Sequence, residues 1–207
     1  MKALLSLILG YFIGNFNTAA VVGRVKKVDL KQEGTKNLGA TNTTMVLGWK
    51  SGAVVMVLDI LKSFLSGKLA QLLFPQLRIA GMLACIGVIL GHCFPITMHF
   101  SGGKGLAAFG GMILAYNPLV FVIVVLSGVG IMVLLDIGVA APLLGTVMFP
   151  VLAYVFSHDI PTTVCASIAS VIILYTHLDN VHKTKEHSDL KVRNYFRDVL
   201  FKKKKEE

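Results

Sequence analysis

The chain has 207 residues, of which 55% are hydrophobic and only 15% are charged, with a mean hydropathy of +0.72. A soluble domain carries about a quarter charged residues, so the composition excludes a soluble fold and leaves a single membrane-embedded domain over residues 1–207. A net charge of +9 would suggest nucleic acid in a soluble protein; in so apolar a chain the cytoplasmic bias of basic residues accounts for it, and no nucleic acid is expected.

A helix needs about 20 mostly apolar residues to cross the hydrocarbon core. The first such stretch, 3–23, opens with Ala3-Leu4-Leu5-Ser6-Leu7-Ile8-Leu9 after Lys2 and superficially resembles a signal peptide with a cleavage site at Thr18-Ala19-Ala20. Apolar character continues to about Val22 and more spans follow, so it reads as an uncleaved transmembrane helix. A polar, basic loop comes next, Gly34-Thr35-Lys36-Asn37-Leu38-Gly39-Ala40-Thr41-Asn42. Glycines that admit backbone N–H groups, a lysine and small hydroxyl or amide side chains suit an anion, usually a phosphate. The second span, 52–74, carries Asp59 and Lys62, three apart and so on one helix face. Charges in a span usually face protein or an aqueous cavity. The pair reads as an anchor beneath the first loop; the alternative is an interfacial pair that snorkels.

The third span, 78–97, closes on Gly91-His92-Cys93-Phe94-Pro95. His92 reads as a hydrogen-bonded hinge residue or a proton carrier, and His99 as an ordinary interfacial residue. A second glycine loop follows, Ser101-Gly102-Gly103-Lys104-Gly105. The segment 105–135 is too long for one span and short for two; Asn117-Pro118 divides it into two shortened or tilted helices. Spans at 137–157 and 160–177 bring the expected total to seven. The last ends at His177-Leu178-Asp179-Asn180. His177 and Asn180 offer a titratable nitrogen and an amide suited to orienting a hydroxyl or a phosphate, or else a simple helix cap. Cys85, Cys93 and Cys165 lie in or near apolar runs, spaced for neither zinc nor a redox pair, so no metal is expected. No internal repeat points to an inverted-repeat transporter.

With seven spans, residues 24–50, the loop near 98–105 and the tail from 178 share one face and hold 16 of the 20 Lys and Arg residues. Basic residues mark the cytoplasmic side. The expected protein is therefore an all-α integral membrane protein with its N-terminus outside and its C-terminus in the cytoplasm. Both glycine loops then face the compartment that holds phosphorylated metabolites. The run Lys202-Lys203-Lys204-Lys205 reads as a solvated end or as a contact with anionic lipid.

In chain order, Asp29-Leu30-Lys31, the Gly34–Asn42 loop, Leu58-Asp59-Ile60-Leu61-Lys62, Gly91-His92 with Pro95, Gly102-Gly103-Lys104-Gly105 and His177 with Asn180 resemble the bacterial acyl-phosphate:glycerol-3-phosphate acyltransferase family, PlsY. The resemblance spans nearly the whole chain. It implies a multi-pass enzyme of the bacterial plasma membrane, acting in phospholipid biosynthesis with its active site toward the cytoplasm. The implied reaction transfers a fatty acyl group from acyl phosphate to the sn-1 hydroxyl of glycerol 3-phosphate, giving lysophosphatidic acid without metal, other cofactor or coenzyme A. On this reading Thr35, Asn37, Gly39, Thr41 and Asn42 hold the donor phosphate. Lys104, in its loop with Gly102, Gly103 and Gly105, clamps a phosphate, while His177 and Asn180 orient the acceptor. Asp59, Lys62 and His92 support the site, and the acyl chain lies along the spans in membrane lipid.

The chain also departs from the family pattern. Thr35 stands where Ser is usual, which keeps the hydroxyl. Met45 stands where Arg is usual, and Met cannot replace a bidentate phosphate clamp. Leu135-Asp136-Ile137-Gly138-Val139-Ala140-Ala141-Pro142 lacks the Arg and serines usual in that loop, and Leu178 stands where Arg is common. Two other readings stay open: a divergent paralogue that is inactive or uses another acceptor, and a channel or carrier for a phosphorylated solute.

Overall fold

The structure, a computed structural model, describes residues 1–185; most of the expected basic tail lies outside the described residues. Every regular element among the described residues is helical. The expected first span is not one helix. It is α1 (Lys2–Gly14) followed by α2 (Thr18–Val25), because two asparagines engage backbone groups at a break. Asn15 Nδ2 donates to the Tyr11 carbonyl at 2.7 Å, and Asn17 Oδ1 accepts from the Ala20 amide at 2.9 Å, capping α2.

After the first polar loop come α3 (Ala40–Leu47) and α4 (Trp49–Leu73), hinged at Gly48 with φ 83°. Next are α5 (Ala80–Cys93) and a single 3-10 turn (Ile96–Met98). The second glycine loop leads into α6 (Leu106–Tyr116), and α7 (Pro118–Leu135) follows at once. The break between α6 and α7 falls at the expected Asn117-Pro118: Asn117 Oδ1 accepts from the amides of Leu119 (2.8 Å) and Val120 (3.3 Å), with proline at the first helical position. The bundle closes with α8 (Ala140–Ser157), α9 (Ile160–Thr176) and the short α10 (Leu178–Lys185).

Helix α5 is the axis of the bundle, and nearly every residue along it is buried. It meets α1 through two facing glycine pairs. A Cβ on Gly10 or Gly14 would run into the backbone of Ala84 or Val88, and one on Gly87 or Gly91 into that of Leu7 or Tyr11. In lipid, where burial of apolar surface drives little, such small-residue faces let helix backbones touch and gain dispersion contact. On the other side, Ile89, Phe109, Met112, Ile113, Phe149 and Ile173 fill the centre, with Phe109 edge-on to Phe149 at 5.5 Å. The outer faces of α7, α8 and α9 expose leucine, valine and isoleucine, a surface made for lipid.

Lys2–Val25, Ala80–Met98, Pro118–Leu135 and Ala140–Ser157 are each long and apolar enough to cross a membrane, while α6 and α9 are apolar but shorter. The 25-residue α4 is long enough and carries Asp59, Lys62 and Lys68. At one end of the bundle Arg78 pairs with Asp159 at 3.2 Å. Asp159 also caps α9, and the Thr162 hydroxyl beside it holds its carboxyl below the ordinary carboxylate range. The two glycine loops gather at the opposite end.

Candidate active site

The first glycine loop is braced from inside by Asn42, which is completely buried. Its Nδ2 donates to the carbonyls of Leu30 (3.0 Å) and Glu33 (3.1 Å), and its Oδ1 accepts from the Thr35 amide at 2.7 Å. One side chain thereby ties Leu30 and Glu33, just ahead of the loop, and Thr35 within it to the start of α3. The expectation that Asn42 binds phosphate is corrected by this geometry, since both ends of its amide are engaged internally. Around it Thr35, Lys36 and Thr41 are exposed and Asn37 and Gly39 half-buried. Gly39 precedes α3 with no side-chain cap, so the amides of the first turn lack intrahelical partners at the positive end of the helix dipole. That is an anion-binding arrangement.

The second loop is built differently. The Gly102 amide donates to the Cys93 carbonyl and the Gly103 amide to the His92 carbonyl, both at 3.1 Å. These amides finish α5 and do not cradle an anion, contrary to expectation. The glycines serve close approach instead. A Cβ on Gly102 would strike the His92 carbonyl, and one on Gly103 would strike the His92 ring and lie 2.5 Å from the Leu38 carbonyl. Gly103 thus seats the second loop directly against the first. Gly105, with φ 80°, starts α6 in a conformation that favours glycine.

What the second loop presents is Lys104. Its ammonium donates to Asn180 Oδ1, and its carbonyl accepts from the Thr176 hydroxyl at 2.8 Å. His177 caps α9 and is buried, with Nδ1 2.9 Å from the Ile173 carbonyl. A carbonyl can only accept, so Nδ1 carries the hydrogen, which leaves Nε2 as the ring nitrogen able to exchange a proton. The sequence does not single out Thr176; its place beside His177 is the available signal. Lys104, Asn180 and the Thr176-His177 end of α9 are therefore brought together, on a loop whose Gly103 abuts Leu38 of the first.

Beneath them lies a buried polar cluster. Lys62 Nζ is 2.8 Å from Asp59 Oδ1, 3.0 Å from the Phe16 carbonyl and 2.9 Å from His92 Nδ1. The Thr18 hydroxyl donates to Asp59 Oδ1 at 2.9 Å. In place of the expected anchoring of the first loop, the pair anchors the α1–α2 break and the His92 ring, because the break exposes the Phe16 carbonyl at that depth. Sequence reasoning misses Thr18 and Phe16, although Asn17-Thr18 is a readable helix start.

Met45 lies on α3 one turn beyond Thr41 and is half-buried. Asp136 ends α7 with φ 57° and begins the loop that lacks arginine and serine. An apolar groove of about 370 Å³ follows α9 from Ile160 to Ile172, and a 220 Å³ pocket is lined by Gln71, Arg78, Ser157 and Thr162. Neither is lined by a residue of the two loops. The site is thus an exposed, cationic shelf with a buried histidine beside it, suited to holding anions.

A model of the glycerol-3-phosphate acyltransferase family matches residues 4–187. The glycerol-3-phosphate acyltransferase of Bacillus subtilis (strain 168) is 34% identical over 194 residues, covering 93% of this chain and 99% of its own. That of Latilactobacillus sakei subsp. sakei (strain 23K) is 30% identical over 190 residues, covering 91% and 92%. Among solved structures, PlsY (YgiH), an integral membrane glycerol 3-phosphate acyltransferase, superposes in its glycerol 3-phosphate form with a TM-score of 0.88 at 28% identity, over 97% of this chain and 100% of that one. Its lysophosphatidic acid form gives a TM-score of 0.84 at 28% identity, over 92% and 95%.

Proposed function

The chain belongs to the glycerol-3-phosphate acyltransferase family, and we infer from that membership and the site geometry that it is a membrane enzyme transferring a fatty acyl group from acyl phosphate to the sn-1 hydroxyl of glycerol 3-phosphate. The observation that carries this reading is the gathering of Lys104 with Asn180 and the Thr176-His177 end of α9 on a loop whose Gly103 packs against the Leu38 carbonyl of the first loop. The product is lysophosphatidic acid, a phospholipid precursor.

The chain is one membrane-embedded domain. Helices α1–α2, α4, α5, α6, α7, α8 and α9 make seven crossings, with the N-terminus outside. The 11-residue α6 is short for a crossing, but its backbone and that of the second loop are enclosed by protein, where irregular structure at membrane depth is tolerated. The bias of basic residues puts the shelf in the cytoplasm of a bacterial cell.

Acyl phosphate is an activated mixed anhydride, so no enzyme nucleophile is required. The acceptor oxygen attacks the acyl carbonyl carbon, the carbon–oxygen bond to phosphate breaks, and phosphate leaves with the electron pair. The protein holds two anions close and stabilises the charge that develops. The α3 N-terminus with Thr35, Asn37, Gly39 and Thr41 holds the donor phosphate. Lys104 clamps a phosphate and Asn180 orients the acceptor. His177 Nε2 accepts the hydroxyl proton, which passes to the departing phosphate. The acyl chain lies in lipid along the apolar groove of α9.

Purified protein in proteoliposomes, given acyl phosphate and labelled glycerol 3-phosphate, is expected to form lysophosphatidic acid and phosphate in equal amounts. Bound substrates without product overturn the reading, and flux of label without product supports a carrier. Met45 and the loop after Asp136 favour a second reading, a changed acceptor, which a panel of other hydroxylated phosphates tests in the same assay.

A further inference from the structure

The cluster around Lys62 is more elaborate than a buried ion pair requires. Buried ion pairs are often no more stabilising than apolar residues of similar volume, yet here an ammonium whose side chain is 9% exposed meets three acceptors from three elements. They are Asp59 on its own helix, the Phe16 carbonyl at the α1–α2 break, and His92 at the end of α5. Its three hydrogens match those three acceptors. An ammonium between an unwound carbonyl and a carboxylate occupies the kind of place where broken spans hold a monovalent ion; here the ion is tethered to α4.

We propose that Lys62 is a positioning residue, a tethered cation that fixes the spacing of the two anion-binding loops through the His92 ring. The proposal rests on the acyl-transfer reading of those loops. Lysine can only donate, so His92 Nδ1 accepts and its Nε2 carries the hydrogen, which fixes the ring's tautomer and tilt. The edge of that ring lies against Gly103, and the Gly103 amide donates to the His92 carbonyl at 3.1 Å. Gly103 in turn packs against the carbonyl of Leu38, the neighbour of Gly39 at the start of α3, and is bonded directly to Lys104. A shift of the ring therefore changes the distance between the Lys104 clamp and the α3 N-terminus. A displacement of about 1 Å between such groups costs about 100-fold in rate.

The test is Lys62→Ala in the full chain, assayed in proteoliposomes, with and without added n-propylammonium, the fragment that the substitution removes. The expected result is a fall of about 100-fold in kcat with the KM for glycerol 3-phosphate within about threefold of wild type, and recovery of at least about tenfold on adding the amine. Tetramethylammonium, which has no N–H, is expected to restore nothing. Wild-type kcat in Lys62→Ala, or a loss that propylammonium does not relieve, overturns the proposal. Should Lys62→Ala fail to fold, Thr18→Val decides: it removes one hydrogen bond to Asp59, and a kcat equal to wild type overturns the proposal. A wild-type protein that makes no product overturns the acyl-transfer reading and this proposal with it; an active wild type beside an indifferent variant overturns this proposal alone.

Discussion

The two glycine loops look alike in sequence and are built in opposite senses. In the first, the backbone is held from inside by Asn42, and the hydroxyls, the lysine and the first turn of α3 face outward. In the second, Gly102 and Gly103 turn inward, their amides engaged by α5, and Lys104 is what the loop presents. A glycine can serve an anion by baring its amide or serve a fold by yielding its Cβ space, and glycine alone does not say which. The first loop bares its hydroxyls, its lysine and a helix start; the second is a mount for one charge.

Lys104 gives the sharpest break between them. Lys104→Ala removes the charge and leaves Asn180 without that donor, and kcat/KM for the acyl transfer is expected to fall about 1,000-fold, the scale of losing a group aimed at developing charge. Activity within a few-fold of wild type would remove Lys104 from the site. Gly103→Ala comes next. Its methyl group meets the His92 ring and, at 2.5 Å, the Leu38 carbonyl, so a loss of about 100-fold is expected together with about 1–3 kcal/mol of stability. Gly39→Ala in the first loop meets only the Asn37 amide at 3.2 Å and is expected to leave stability within about 0.5 kcal/mol. Activity lost from Gly39→Ala without loss of thermal stability would show that a phosphate comes within contact of that backbone.

Asn42→Ala tests the brace. It abandons the carbonyls of Leu30 and Glu33 and the amide of Thr35, at about 1–3 kcal/mol where such groups stay buried. A lower unfolding midpoint with a matching rise in the KM for acyl phosphate is expected. An unchanged KM would mean that the loop does not hold the donor.

Much of this molecule is legible in its sequence. Hydropathy locates the apolar helices, four of them long enough to cross a membrane, and Asn117-Pro118 locates the break between α6 and α7, because a cap residue followed by proline is a local signal. The Asn15–Asn17 break escapes because an average over about 20 residues dilutes two asparagines in an oily run. The glycine repeats at Gly10 and Gly14 and at Gly87 and Gly91 stand in the sequence as spacings, but that one faces the other depends on tertiary pairing. The same limit hides the inward turn of Gly103 and the acceptors of Lys62, since a carbonyl has no signature in a sequence. Lys104, His177 and Asn180 are legible because their chemistry is carried by side chains.

The smallest expected effect is also the one with opposite sign. Met45 sits on α3 one turn past Thr41 and is half-buried. An arginine there would add a planar pair of donors to a shelf that already carries Lys36 and Lys104. Part of that gain is lost to repulsion among cations and to solvent screening, which leaves about 1 kcal/mol. Met45→Arg is therefore expected to lower the KM for acyl phosphate by about fivefold with kcat nearly unchanged. If kcat instead rose by two orders of magnitude or more, the present chain would be a poor glycerol 3-phosphate enzyme whose own acceptor differs. No change in either constant would separate Met45 from the donor phosphate, leaving the α3 amides to hold that anion without an arginine beside them.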